Sequence, residues 1–215
     1  MDKAKVNYSI KLRNFIGVMV MLLPVLNPAF ILTFGAGHNP AGVLTSISAT
    51  YYSTAAPFFF GLTIGTGVLL IFYDDYDIKD RIVTILAGAG LIILALFPCA
   101  LPTAATWNVA MLPQNITNTI HLAGAFLFFA CMVFIVNFQF TKTGEGAAVA
   151  PGSRKWRRNV LYRVCAGIMA VALIVGFGGS RLFGFAYLVY IGESVAFEAL
   201  GVSWNTKGGL WLKDI

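Results

Sequence analysis

Nine acidic residues, two histidines and three cysteines are all that this 215-residue chain offers for acid–base, metal or thiol chemistry. Two of the acids, Glu193 and Glu198, sit inside a long apolar run near the C-terminus. A charge in such a run is costly and turns toward protein or water rather than hydrocarbon. On a helix, their spacing sets them about 140° apart around the axis, at 100° per residue. A paired-carboxylate mechanism needs both groups at one reacting centre, so it fails on geometry. Glu193 lies close to the middle of its run. Tyr187, Tyr190, Ser194 and Gly201 make up a polar and aromatic strip beside it, which is expected to face the bundle. Glu193 is there either interhelical glue or a group that meets a ligand or a proton.

His121 opens another apolar run, and His38 is the only other histidine, so a three-histidine zinc centre cannot be assembled. Cys99, Cys131 and Cys165 fall within apolar runs at spacings that fit neither a disulfide framework nor a metal clip, and read as packing residues. No metal and no cofactor are expected. The segment 35–55 carries Thr45-Ser46-Ile47-Ser48-Ala49-Thr50-Tyr51-Tyr52-Ser53-Thr54, a run of hydroxyls at the boundary of an apolar stretch. Ser46, Ser48, Tyr51 and Tyr52, with His121 at matching depth, are candidates for presenting donors and acceptors to a lipid headgroup. The plainer reading has Ser53 or Thr54 capping the next helix, Pro57 in its first turn, and the tyrosines as interfacial anchors. Asp74, Asp75, Asp77 and Asp80 crowd one short turn. They lack the glycine and the terminal glutamate of a calcium loop, so a solvated turn paired with Lys79 and Arg81 is expected.

The elements that must position these residues are apolar helices. Apolar and aromatic residues make up 58% of the chain and charged ones 11%, less than half the share of about 25% in a soluble domain. The mean hydropathy of +0.79 agrees. Disorder, coiled coil, collagen and a secreted disulfide scaffold are excluded, which leaves one integral membrane domain over 1–215. A helix crosses the hydrocarbon in about 20 apolar residues. Six runs qualify, near 15–34, 56–73, 82–102, 119–140, 160–179 and 182–203. The expected fold is an all-α, six-span bundle. Gly178, Gly179, Ser180 and Arg181 are expected to turn the chain between the last two spans. Pro24 and Pro28 interrupt the first span, which reads as a permanent helix rather than a cleaved signal. Gly61-x-x-x-Gly65, with Gly67, Ala87, Gly88 and Gly90, supplies small residues for close helix packing. Phe126, Phe128, Phe129 and Phe134 surround so much of the fourth span that several must meet lipid or a partner. A homo-oligomer or a larger membrane assembly is therefore open.

On a six-span path, every Lys and Arg except Arg181 falls on one side of the bilayer, which makes both termini cytoplasmic. The net charge of +6 is thus a topology signal and calls for no nucleic acid.

The stretch Thr45-Ser-Ile-Ser-Ala-Thr-Tyr-Tyr-Ser-Thr-Ala, followed by Phe60-Gly, the turn at 73–80 and Leu96-Phe97-Pro98, resembles a group of bacterial multi-pass membrane proteins of unknown function. In that group an outer "SIS-x-x-YY" stretch opens the second helix. The ending Glu193-Ser-Val-Ala-Phe-Glu-Ala-Leu-Gly-Val-Ser-Trp-Asn-Thr-Lys-Gly208 is similar to the last helix and tail of the same group. More distantly, the Ser-Ile-Ser loop looks like the frag-type and DRAM-type six-helix membrane proteins. Ser46, Ser48, Tyr52 and Glu193 fall on matching motif positions, and Glu198 does not. The resemblance implies a six-helix fold and a bacterial inner-membrane location, but no reaction. Membrane hydrolases of the alkaline-ceramidase and adiponectin-receptor type place a serine, an aspartate and three histidines around zinc. This chain lacks the histidine pair on a late helix.

These residues point first to a non-enzymatic membrane protein that binds a lipid or similar amphiphile between helices near the outer leaflet, through Ser46, Ser48, Tyr51, Tyr52, His121, Tyr187, Tyr190 and Glu193. A proton or ion pathway through Glu193, or an accessory subunit of a larger assembly, are the alternatives.

Overall fold

The structure, a computed structural model, describes residues 3–35, 37–73, 77–101, 111–143 and 148–212. Asp74 and Asp75 of the acidic turn, and Lys213 of the tail, lie outside the described residues. The described residues form six α-helices and no strand: α1 (Lys3–Phe34), α2 (Ala56–Ile71), α3 (Ile78–Leu96), α4 (Gln114–Phe134), α5 (Arg154–Phe183) and α6 (Tyr187–Lys207). A single 3-10 turn, Ser48–Tyr52, stands between α1 and α2, and a π-helical segment, Ile135–Gln139, continues α4. Three stretches, Tyr8–Phe34, Gln114–Gln139 and Arg154–Phe183, are long and apolar enough to cross a membrane, and α2 is a shorter apolar helix. The first turn of α3 carries Lys79, Asp80 and Arg81, and α6 carries Glu193, Ser194, Glu198 and Asn205. Those polar residues lower the mean hydropathy of the two helices.

Local chemistry sets the helix ends. The Asp77 carboxylate caps α3 by accepting from the backbone N–H groups of Lys79 (2.8 Å) and Asp80 (2.9 Å). Ser153 caps α5 through the N–H of Trp156 (3.1 Å). Two expected ends fall elsewhere. The N-cap of α2 is Ala55, with no side-chain cap, and the Ser53 hydroxyl instead donates to Thr50 O. The turn before α6 is not at 178–181. Gly178 and Gly179 continue α5, and the chain reverses at Gly184, whose φ of 72° is the left-handed cap that a residue with a Cβ resists. Only there does the Gly184 N–H close on Ser180 O.

The helices pack in sequence around a ring: α1 on α2, α2 on α3, α3 on α4, α5 on α6, and α6 back on α1. The ring is weakest between α4 and α5. Their closest association is at one end, where the π-helical continuation of α4 packs on α5. We call this end the base, since it holds the start of α1 and the end of α6, and the opposite end the head. Phe128, Phe129 and Phe197 fill the middle of the ring, with Phe197 5.2 Å from the Phe129 ring and 6.0 Å from Phe128. Phe126 and Phe134 point outward, 77% and 44% exposed.

Four of the helix–helix contacts are made by glycine against glycine: Gly67 with Gly88, Gly90 with Gly124, Gly176 with Gly192 and Gly17 with Gly201. A Cβ on Gly88 would lie 2.5 Å from Gly67 O, and one on Gly90 would lie 2.8 Å from Gly124 O. Backbones this close gain dispersion contacts that side chains would block. The Gly61-x-x-x-Gly65 pair does not do this, because nothing lies within 4 Å of a Cβ at Gly61.

At the base, Asp80 is buried rather than solvated. Its carboxylate takes both oxygens to Lys142 Nζ (2.6 Å each), and Asp77 adds a third contact at 3.1 Å. Asp80 takes its partner from 62 residues away, because the π-helical segment brings Lys142 over the start of α3. The Asp80 N–H, then Lys142, holds the Asp77 carboxyl below the ordinary aspartate range, and the bond to Asp80 raises the Lys142 ammonium.

Gly192 supplies a direct test of the glycine contacts, since a Cβ there would run into Ala172 O. Gly192→Val is expected to cost about 1–3 kcal/mol by overpacking. Gly61→Ala is expected to leave stability unchanged or raise it by up to about 1 kcal/mol. Thermal unfolding of the detergent-solubilised protein reads both.

Candidate functional site

The hydroxyl-rich segment after α1 folds back into the head instead of lying on it. Gly42, at φ 85°, turns the chain inward. Ile47, Ala49 and Thr50 are then almost wholly buried. A buried loop must satisfy its own backbone, or the unpaired groups cost several kcal/mol each in an apolar surround. The sequence provides for that. The Ile47 N–H donates to Glu193 Oε2 at 2.6 Å, so a carboxylate from α6 sits at the start of the 3-10 turn. The Ser46 hydroxyl accepts from the Ala49 N–H (2.9 Å), and the Thr50 hydroxyl donates to Ile47 O (2.6 Å). Asn27 of α1 reaches Thr50 with its amide N–H at 2.8 Å. In return, Thr45 O accepts the Tyr190 N–H (3.0 Å), one of the free donors in the first turn of α6.

Tyr190 serves α1 as well. Its hydroxyl donates to Pro24 O at 2.7 Å. In an unbroken helix that carbonyl would accept from residue 28, but Pro28 has no N–H to give. The proline pair therefore leaves an unmet acceptor, and α6 fills it. Tyr52 ties the loop to the segment after α3, donating from its hydroxyl to Cys99 O (2.9 Å). Tyr51 is buried against Tyr52, Phe59 and Phe60.

His121 faces the loop from α4. It is 3% exposed, and its Nδ1 lies 2.8 Å from both Leu94 O and Phe97 O. Both neighbours are carbonyls and can only accept, so Nδ1 carries the proton. The neutral ring then has its lone pair at Nε2, for which the described structure contains no protein partner.

Ser46, Ser48, His121 and Glu193 come together on the wall of one cleft of about 200 Å³ in the head. It lies between α4, α5, the start of α6 and the inturned loop. Leu122, Ala125, Phe177 and Val189 form its apolar part. Leu122 and Phe177 are 42% and 38% exposed, so the mouth of the cleft lies at the α4–α5 seam.

The other four expected residues are not on this wall. Tyr51, Tyr52 and Tyr190 stand behind it and hold the loop. Tyr187 leaves the expected strip altogether, 65% exposed, because it is the first residue of α6 and precedes the turn that packs on the loop.

Four wall residues with polar or thiol side chains were not singled out from the sequence as candidates: Thr45, Cys99, Asn118 and Ser180. Asn118 could have been found, being three residues before His121 on one helix face. Its Oδ1 accepts the Ala100 N–H at 2.8 Å, which leaves its amide N–H groups for the cleft. Cys99, read as packing, lies on the wall of the cleft beside Ser46. Cys131 and Cys165 are the buried packing residues expected. Among the described residues, no group of three His, Cys, Asp or Glu is arranged to hold a metal ion.

Replacing Glu193 tests the anchoring of the loop. Glu193→Leu leaves the Ile47 N–H buried and unpaired, at a cost of about 1–3 kcal/mol, while Glu193→Gln keeps an acceptor oxygen. Amide hydrogen exchange over 47–51 is expected to speed up roughly 5- to 150-fold in the leucine variant and much less in the glutamine variant. Compared with protein-family models, with curated proteins and with solved structures, the chain matches none.

Proposed function

We propose that the protein binds the polar head of a membrane amphiphile in the cleft, with the apolar tail lying along the α4–α5 seam. In this reading all six helices cross the bilayer, the lysine- and arginine-rich base faces the cytoplasm, and the head lies at the outer leaflet of a bacterial inner membrane. The location of charge supports the orientation, since Arg181 is the one cation at the head end of the helices.

The observation that carries the reading is the combination of polar and apolar groups on one wall. Ser48, Asn118, His121 and Glu193 converge at the inner end, and Leu122, Ala125 and Phe177 lead out to the helix surface. Binding sites in bundles take this form, an apolar slot with a few fixed polar groups. A volume of about 200 Å³ is smaller than the roughly 300–1,000 Å³ of a site that encloses a whole drug-sized ligand, so it suits a headgroup whose tail stays outside. The same observation favours binding over a proton path. Below Glu193, α6 turns Ala196, Phe197 and Leu200 into the core, all buried among Phe128, Phe129 and Met132. Glu198 is on another face of the helix and partly exposed.

Filling the cleft from its apolar side tests this. Ala125→Trp is expected to reduce lipid retained through mild purification by about tenfold, a loss of about 1.4 kcal/mol. Phe126→Trp, one residue along on the exposed face, is expected to change nothing. Lipid extraction and quantification per mole of protein gives the answer, and equal retention in the two variants would overturn the reading.

A further inference from the structure

The wall of the cleft carries a carboxyl group, a lone-pair imidazole nitrogen, a side-chain amide and several hydroxyls, but no lysine or arginine. Arg181, the residue after Ser180, is exposed and does not line it. We infer that the site selects a headgroup that is not anionic and that brings its own hydrogen-bond donors, either a hydroxylated head or a primary amine. This inference rests on the amphiphile-binding reading and names the ligand class for the same site.

The reasoning is a donor and acceptor count. Leu94 O and Phe97 O both require a proton from His121 Nδ1, so the histidine meets the cleft as an acceptor at Nε2. Glu193 spends Oε2 on the Ile47 N–H, and for Oε1 the described structure contains no protein donor. His121 Nε2 is therefore a fixed acceptor that awaits a ligand's O–H or N–H, and Glu193 Oε1 stands open beside it. The hydroxyls of Ser46, Ser48 and Ser180 can turn to either role, and the Asn118 amide adds neutral N–H donors that carry no charge to hold an anion. A phosphate head offers acceptors only and brings its negative charge into a wall with no lysine or arginine to offset it. Sites that recognise phosphate supply arginine, lysine or a row of backbone N–H groups. Here the Ile47 N–H of the loop is taken by Glu193 and the Ala49 N–H by the Ser46 hydroxyl.

The test compares amphiphiles that share one oleoyl-length chain: monoolein, oleylamine, and 1-oleoyl lysophosphatidic acid, which is monoolein with a phosphate added. Each is offered to delipidated full-length protein in mild detergent, and bound ligand is counted by native mass spectrometry. Monoolein, oleylamine or both are expected to bind at least about tenfold better than the lysophosphatidic acid. Which of the two leads tells a hydroxylated head from an amine. Ser180→Lys places a cation at the wall from the helix end, without touching the Glu193–Ile47 contact. It is expected to raise lysophosphatidic acid binding about tenfold relative to monoolein. Lysophosphatidic acid binding as well as the other two in the unaltered protein overturns the inference while leaving the cleft a binding site. An unchanged ranking in Ser180→Lys also overturns it. Failure of all three to bind overturns the binding reading itself, and this inference with it.

Discussion

The hydrogen bond from the Ile47 N–H to Glu193 joins two segments 146 residues apart and decides what the head of the bundle is. A chain that turns back into a helical bundle carries backbone groups with no water to meet them, and each must find a partner. Glu193 provides for the first N–H of the 3-10 turn, Asn27 and Thr50 for the next layer, and Tyr190 for the opposite strand of contacts to Thr45 and Pro24. The anchored loop, α4, α5 and the start of α6 together form the wall of the cleft.

The rest of the bundle is arranged so that this space is the exception. Elsewhere the helices meet backbone to backbone at paired glycines, and the centre is filled by Phe128, Phe129 and Phe197. The base is closed by the Lys142–Asp80 pair and by Lys207, whose ammonium donates to Phe140 O at 3.1 Å. Among the described residues, the base is tight and the α4–α5 seam loosens toward the head, where the cleft opens laterally.

Much of this was legible in the sequence for a simple reason. Runs of about 20 apolar residues have few structural alternatives, so a helix overlaps each of the six runs, although the ends differ. The importance of Glu193 was legible too, because a carboxylate in such a run demands a partner. Its partner was not: nothing in the sequence says that a backbone N–H 146 residues away would meet it. Hydroxyl-rich composition also reads as surface, and that is why the burial of Ile47–Thr50 was missed. The same segment forms turns that satisfy its own backbone, so serine and threonine suit a buried loop as well as an exposed one. The end of α5 was misplaced because Gly178 and Gly179 look like a turn, whereas the left-handed cap falls on Gly184. Asp80 was misread because its lysine comes from across the bundle.

Photolabelling from the bilayer tests most directly whether an amphiphile enters between α4 and α5. Monoolein carrying a photoreactive group next to its glycerol head would be activated in membranes that contain the protein, and the labelled peptides mapped. Labels are expected on the wall of the cleft, around 118–125 of α4 and 177–180 of α5, and excess unlabelled monoolein is expected to remove them. Labels spread along the exposed face of α5 at Val164, Val171 and Ile174, with the cleft unmarked and no competition, would contradict a binding site at the seam.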